Sequence, residues 1–226
     1  MTPRLLRVGQ SQSPVVVVDD VLGDVAGVVA LAAALAPFPE VPDSHYPGVR
    51  RVLSPADGPA HDYAATLLQM VAPFIGGAFE VDGFDWIEGS FSMVTAAPAS
   101  LSPAQRAPHF DSADPGYLAV LHYLSDTQRS GTAFYRQRAT GIEQVTPANR
   151  DAFIAAARRD SAGLAGYTNS SNAAFEQIGL VEARADRVVI YQGNLLHSGI
   201  IPPDMPLSDD PRAGRLTTNL FVQAQR

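Results

Sequence analysis

Cysteine is absent from this chain of 226 residues, so disulfide bonds and thiolate metal sites are both excluded. Basic residues are outnumbered, because 16 Lys and Arg stand against 23 Asp and Glu. The resulting formal net charge of −7 disfavours a nucleic-acid-binding surface. Long hydrophobic runs are also missing: the apolar stretch Val15–Val18 ends at Asp19, and residues 21–38 are interrupted by Asp24 and two glycines. We therefore expect no signal peptide, no membrane span and a cytoplasmic protein.

The composition is otherwise that of a folded globular protein, with 46% apolar and 17% charged residues. The length suits a single domain over residues 1–226. Apolar periodicity predicts helices over residues 21–36, 59–71 and 147–160. We expect Gly76 and Gly77 to end the second helix, and the proline-rich residues 37–59 to form a loop.

Short strands separated by turns make up the rest of the predicted structure. Four consecutive valines predict a buried strand at residues 14–18. Further strands are expected at residues 87–96, 117–124, 132–138, 175–183, 187–192 and 215–223. Many short strands after an initial helical layer predict a mainly β (α+β) fold. The expected architecture is a double-stranded β-helix, the jelly-roll or cupin-like barrel, with the N-terminal helices packed on one sheet.

Two histidines and one aspartate carry the clearest chemical signal. His109 and Asp111 are two residues apart, and such residues on an extended strand project to the same side. His197 follows an apolar strand 86 residues after Asp111. Two imidazoles and a carboxylate can occupy one face of an octahedral ferrous ion and leave three positions for a co-substrate and dioxygen. Zinc uses similar ligands, so the residue types alone do not exclude it.

The final predicted strand supplies a basic residue for an anion. Its alternation places one set of side chains on the barrel side, namely Arg215, Thr217, Asn219 and Phe221. The more apolar set suits packing against the helices and consists of Leu216, Thr218, Leu220 and Val222. A buried guanidinium is costly without a partner, and a dicarboxylate would satisfy it with charge-assisted hydrogen bonds. We predict that Arg215 binds this anion, with Arg212 as its rival.

At these residues the chain resembles the Fe(II)/2-oxoglutarate-dependent dioxygenase superfamily, in its prolyl-hydroxylase-like branch. It also resembles an uncharacterised bacterial family within that superfamily. The resemblance covers residues 85–226 and rests on five segments in order: His109-Phe110-Asp111, Leu121–Leu124, Gly131–Phe134, His197 and Gly214–Thr217. The chain departs from the pattern at Ser130, where a second glycine is common, and in the longer gap between His197 and Arg215.

The resemblance implies Fe(II), 2-oxoglutarate as co-substrate and O2. It assigns His109, Asp111 and His197 to the metal. It also implies that Arg215 binds the distal carboxylate of 2-oxoglutarate and that the hydroxyl groups of Thr217 and Tyr123 donate hydrogen bonds to the same carboxylate. The implied reaction is hydroxylation of an unidentified small-molecule or peptidyl substrate. Relatives that halogenate generally lack the carboxylate, so Asp111 favours hydroxylation, while desaturation and cyclisation remain open.

Two other classes of function also fit these residues. One is a non-catalytic jelly-roll protein that binds a metal or ligand, and the other is a cupin-like, metal-dependent isomerase or hydrolase that needs no keto acid. For the substrate, Gln105, Arg136 and Arg138 lie on segments expected to flank the metal. We expect no nucleic-acid or membrane partner, and the sequence predicts no oligomeric state. The remaining histidines are expected to be structural or solvated: His45, His61 and His122.

Overall fold

The computed structural model describes residues 1–40 and 46–225. In chain order the strands are β1 (Thr2–Val8), β2 (Ser13–Asp19), β3 (Gly48–Val52), β4 (Gly83–Val94), β5 (Tyr117–Tyr123), β6 (Gly131–Gln137), β7 (Phe175–Glu182), β8 (Arg187–Gln192), β9 (His197–Ile200) and β10 (Leu216–Gln225). The helices are α1 (Val25–Ala34), α2 (Pro59–Phe79), the short α3 (Pro103–Arg106) and α4 (Arg150–Ser161). Within the described residues, no helix combines the length and the apolar character needed to cross a membrane.

The strands form two antiparallel sheets. The larger has the order β1-β2-β8-β5-β10-β4-β3, and the smaller has the order β7-β6-β9. Their facing surfaces pack together: Phe134 of β6 meets Tyr191 of β8 edge to face, with ring centroids 5.3 Å apart. The protein is therefore mostly β with few helices, in a jelly-roll-like arrangement, as the strand pattern predicts.

The helices near the N-terminus cover the outer face of the larger sheet. Leu67, Val71 and Ile75 of α2 are buried against that face in one cluster with Ile190 and Leu220. Burying several such side chains stabilises the layer by about 1.5 to 3 kcal/mol for each one. The predicted packing of the N-terminal helices on one sheet is confirmed, and the opposite face of this sheet remains available for a site.

Several elements differ from the sequence predictions. Strand β1 was not expected, and it forms because each of its residues pairs in register with β2. Strand β3 lies inside the stretch predicted as loop, where it extends the sheet by pairing with β4. Helix α2 continues past Gly76 and Gly77 to Phe79. A glycine costs a helix about 1 kcal/mol relative to alanine, and burial of Ile75 and Phe79 in the core offsets that cost.

Strand β10 has the two faces that its alternation predicts. Leu216, Leu220 and Val222 join the core beneath the helices. Arg215, which directly precedes the strand, and Thr217 line a cavity on the other side. A β-bulge in β4 opposite Phe221 and Val222 leaves Ile87 unpaired, which bends this end of the sheet.

Candidate metal centre

Backbone pairing between two distant segments brings the candidate metal ligands together. The segment after α3 runs beside β9, where His109 and His197 exchange backbone hydrogen bonds of 2.9 Å in both directions. The amide of Asp111 donates to the carbonyl of Gly193 at 2.7 Å. These bonds fix His109 and Asp111 next to the chain that carries His197.

The side chains of these three residues converge. His109 Nε2 lies 3.9 Å from Asp111 Oδ1, and His197 Nε2 lies 3.6 Å from Asp111 Oδ2. One ligand atom from each residue lies within 4.8 Å of the other two. Side chains that share one divalent cation must approach this closely, because each metal–ligand bond is only about 2 Å long. The geometry suits one ion.

The hydrogen bond of His197 fixes which ring nitrogen faces the site. Its Nδ1 lies 2.8 Å from the carbonyl oxygen of Leu195, which can only accept, so Nδ1 carries the proton. Nε2 is then the unprotonated nitrogen and presents its lone pair toward Asp111. A backbone carbonyl that orients the distal nitrogen in this way is a usual partner of a metal-ligating histidine.

Burial sets the protonation of the metal-free side chains. It raises the pKa of Asp111 to about 6, and it lowers the pKa of His197 to about 4. His197 is therefore neutral at pH 7, as a metal ligand must be. The carboxylate of Asp111, whose side chain is 16% exposed, gains a stabilising charge from a divalent cation. The donor set and its electrostatics fit Fe(II).

A cavity of about 260 Å³ adjoins the three side chains. Apolar walls come from Val94, Leu121, Ile201 and neighbouring side chains. The polar lining comprises Tyr46, Arg50, Gln105, His109, Asp111, Thr132, Tyr167, Tyr191, His197, Ser198, Arg215, Thr217 and Asn219. Apolar walls with a few convergent polar groups are typical of a small-molecule site.

Of the residues predicted to bind the co-substrate, Arg215 and Thr217 line this cavity, whereas Tyr123 is not a lining residue and packs beside Arg215. Arg215 is 5% exposed and donates from Nε to Ser130 Oγ at 2.8 Å. Its guanidinium carbon lies 5.6 Å from the ring centroid of Tyr123. The Tyr123 hydroxyl lies 2.6 Å from Thr132 Oγ1, and Thr132 lines the cavity. Tyr123 therefore contacts the guanidinium through its ring and the Thr132 hydroxyl through its own hydroxyl group. Arg212 is exposed in the preceding loop, so the structure favours Arg215 over it.

Only one of the three predicted substrate residues lines the cavity. Gln105 lines the cavity, whereas Arg136 and Arg138 lie away from it. Arg136 shares a strand face with Thr132, but four residues of strand carry it roughly 13 Å further along. There it pairs with Glu143 and Glu176. Arg138 donates to the carbonyl of Asn172 instead. The prediction that both arginines flank the metal is therefore corrected.

Sequence reasoning missed several cavity residues. Tyr191 is 5% exposed, and its ring packs against His197 with centroids 4.7 Å apart. Asn219 also lines the cavity, and the sequence signal for it was its position on the same strand face as Thr217. Arg50 gave no signal, because it lies in the stretch predicted as loop. Its position on edge strand β3 depends on pairing with β4.

The other histidines are structural where the structure describes them. His122 is fully buried, with Nδ1 2.7 Å from the Tyr63 hydroxyl and Nε2 3.2 Å from Asp186 Oδ1. His61 stacks on Trp86 with ring centroids 4.7 Å apart. His45 lies outside the described residues.

Comparison with known proteins adds a family and a set of related folds. A family described as "Family of unknown function (DUF6445)" matches residues 1–222. No curated protein matches the sequence. Among solved structures, the non-haem α-ketoglutarate-dependent epimerase SnoN of nogalamycin biosynthesis superposes with a TM-score of 0.57 at 15% identity, over 93% of this chain and 78% of SnoN.

Two further solved structures have the same fold. HygX from Streptomyces hygroscopicus, with nickel and 2-oxoglutarate bound, gives a TM-score of 0.54 at 18% identity, over 93% of this chain and 82% of HygX. The α-ketoglutarate-dependent carbocyclase SnoK gives 0.55 at 13% identity, over 93% of this chain and 79% of SnoK. At these identities the likeness shows the fold alone, which the chain shares with these three proteins.

Proposed function

The chain belongs to DUF6445, a family of unknown function, and we propose that it is an Fe(II)- and 2-oxoglutarate-dependent oxygenase. The observation that carries this proposal is the convergence of His109, Asp111 and His197 in a cavity that also holds the buried Arg215. We further propose that the two sheets form one double-stranded β-helix domain over the whole chain.

The residues present account for both cofactors. His109, Asp111 and His197 would hold Fe(II) through two imidazole nitrogens and a carboxylate, which leaves positions for a chelating keto acid and dioxygen. When bound, iron with 2-oxoglutarate and O2 supplies the oxidising power for attack on a C–H bond, while the keto acid is converted to succinate and carbon dioxide. The related HygX structure with nickel and 2-oxoglutarate supports this assignment.

The chain itself binds and orients. Arg215 binds the distal carboxylate of 2-oxoglutarate, and Thr217 adds a hydroxyl two residues further along the same strand face. Tyr123 keeps the guanidinium in place through its ring. The apolar walls exclude water from the reacting atoms, which strengthens each of these polar contacts.

Hydroxylation of a small-molecule or peptidyl substrate is the proposed outcome. Asp111 supports it, because the carboxylate fills the position that a halide would otherwise take. The fold itself does not select the outcome, since SnoN is an epimerase and SnoK is a carbocyclase. The shape of the substrate beside the metal decides which bond is attacked.

Substrate-free turnover of 2-oxoglutarate tests the proposal. We expect the wild type to form succinate from 2-oxoglutarate only with Fe(II) and O2. Asp111→Ala is expected to lower this turnover by more than about 100-fold, because changes beyond the ligands already cost 10- to 100-fold in metal sites. Asp209→Ala, an exposed aspartate in the loop before β10, is the matched control and is expected to retain wild-type turnover.

Two outcomes would contradict the proposal. Equal background turnover in the wild type and in Asp111→Ala would show that the site does not drive the reaction. Zinc-dependent activity that requires no keto acid would instead indicate an isomerase or hydrolase.

A further inference from the structure

Arg50 places a second guanidinium in the cavity. It lies on edge strand β3, and its register partner across β4 is Ser92, which in turn pairs with Thr217 of β10. Arg50 and Thr217 therefore face the same cavity from strands that are two spacings apart, roughly 10 Å. Arg215 directly precedes β10, two residues before Thr217. One small anion held at Arg215 does not occupy both cations.

The protein uses only part of the hydrogen-bonding capacity of Arg50. Its Nη2 donates to Glu88 Oε1 at 2.7 Å and to Ser90 Oγ at 2.9 Å. A guanidinium has five N–H donors, so three remain. Among the described residues, Nε is buried without an acceptor, and the hydrogen bonds of the side chain run from Nη2. Because the side chain is only 18% exposed, water does not fully replace these acceptors.

The charge of Arg50 would also lack a counter-charge in the cavity when iron and 2-oxoglutarate are bound. Asp111, Arg50 and Arg215 are the acidic and guanidinium side chains among the described lining residues. With the proposed cofactors bound, 2-oxoglutarate would bring two negative charges. One would balance the positive charge of Arg215, and the other would balance the positive charge of Fe(II) that Asp111 does not neutralise. The charge of Arg50 remains. Its partner Glu88 is 39% exposed and lies outside the lining, so solvent screens that pair.

The surroundings of Arg50 suit the acidic end of a small molecule. Tyr46 lies beside the guanidinium, with its ring centroid 6.0 Å from Arg50 Cζ. Tyr46 and both arginines line the same cavity. Burial raises the pKa of the Tyr46 phenol, and the charges of Arg215 and Arg50 act against that rise. Phe110 and Phe221 add aromatic surface to the same cavity.

We propose that Arg50 is the specificity-determining residue of the substrate subsite and binds an acidic group, a carboxylate or a phosphate. This inference rests on the proposed function, because it assigns the space left beside iron and 2-oxoglutarate to the substrate. The substrate class is then a small molecule, or the end of a peptide, with an anionic group on an apolar or aromatic body. A neutral compound of the same shape binds more weakly, since it leaves the guanidinium unmatched.

Calorimetric titration of the nickel-loaded protein with saturating 2-oxoglutarate tests the inference without turnover. The probes are benzoate and phenyl phosphate, each compared with neutral benzamide. We expect the wild type to bind at least one acid about 10- to 100-fold more tightly than benzamide, the effect of a hydrogen bond to a charged group. The preferred acid distinguishes a carboxylate from a phosphate substrate.

Four variants separate recognition from folding. Arg50→Gln is expected to abolish the preference for acids while 2-oxoglutarate still binds, and Arg50→Lys to keep part of it. Glu88→Gln is expected to keep or strengthen the preference, because it removes the negative charge that pairs with Arg50. Arg51→Gln is the matched control: this neighbour also pairs with an acid, Asp57, but does not line the cavity, so the preference is expected to persist.

Each other outcome contradicts a distinct statement. A wild type without acid preference, or an Arg50→Gln protein that retains it, overturns the assignment of Arg50. Loss of 2-oxoglutarate binding in Arg50→Gln would make Arg50 the co-substrate anchor and also overturns it. A wild type that fails to bind 2-oxoglutarate contradicts the proposed function itself.

Discussion

Arg215 is a charged residue that lies almost wholly inside the protein. Its hydrogen-bond partners are neutral: Ser130 Oγ accepts from Nε at 2.8 Å, and the carbonyl of Gly131 accepts from Nη2 at 3.2 Å. Among the described residues, no carboxylate lies within ion-pair distance of it. A buried cation without a counter-charge is costly, and a dicarboxylate ligand would remove that cost. The proposed role of Arg215 follows from this unbalanced charge.

Replacing Arg215 tests that role. We expect Arg215→Gln to weaken 2-oxoglutarate binding by about 10- to 100-fold, because a charge-assisted hydrogen-bonded pair is lost. The affinity of Arg215→Lys for 2-oxoglutarate should lie between those of the wild type and Arg215→Gln, since lysine keeps the charge but lacks the planar guanidinium. Calorimetry on the nickel-loaded protein measures the dissociation constants, with Arg212→Gln as the exposed control. Unchanged affinity in Arg215→Gln would remove the residue from the co-substrate site.

At this scale the sequence predicts what local geometry determines. His109 and Asp111 lie two residues apart in extended chain, and the alternation of the last strand points Arg215 and Thr217 to one side. The structure has both features. Arg50 could not be predicted, because its position in the cavity depends on which strand pairs with which.

The contact between the β1–β2 turn and the smaller sheet depends on one buried carboxylate. Glu143 accepts hydrogen bonds from the amides of Gln10 and Ser11 at 3.0 and 2.9 Å and from Arg136 Nε at 2.7 Å. Burial acts to raise its pKa, but hydrogen bonds from Ser11, Gln10 and Arg136 hold that pKa below the usual range. Gly9 has a φ of 68°, and a Cβ there would clash with the Glu143 carboxylate. The turn is built around this side chain.

Removing the carboxylate should therefore loosen the contact. We expect Glu143→Ala to lower the free energy of unfolding by about 3 kcal/mol, because it leaves two backbone donors and part of Arg136 without an acceptor. Glu176→Ala, which removes the more exposed partner of Arg136, should cost less than about 1 kcal/mol. Urea denaturation measures both. A cost for Glu143→Ala below about 1 kcal/mol would contradict the role given to this carboxylate.

Elements were predictable where their signal is local. Strand β2 is an example, because the four valines of residues 15–18 all lie in it. The start of the first helix was predicted too early, at residue 21. Asp24 caps α1 instead, since its side chain accepts from the amide of Gly27 at 2.9 Å. The C-terminal end of α2 was not predictable, because buried Ile75 and Phe79 outweigh the glycines that precede the last turn. Strands β1 and β3 lie at the two edges of the larger sheet and depend on their neighbours.

Across the whole molecule, the charge of the cavity opposes the charge of the protein. The net charge is −7, and the cavity presents two guanidinium groups and a site for a divalent cation. Anion recognition is therefore local, built from a few desolvated groups rather than from a basic surface. The layered architecture was predictable from many short strands after a helical layer. The strand order that carries β3 to the cavity was not.

A crystal structure of the protein soaked without oxygen in Fe(II) and 2-oxoglutarate tests the metal site most directly. We predict one anomalous iron peak bonded to His109 Nε2, Asp111 and His197 Nε2, with the keto acid on iron and its far carboxylate at Arg215. Iron at any other position, or these three side chains turned apart with no iron between them, would contradict the proposed centre.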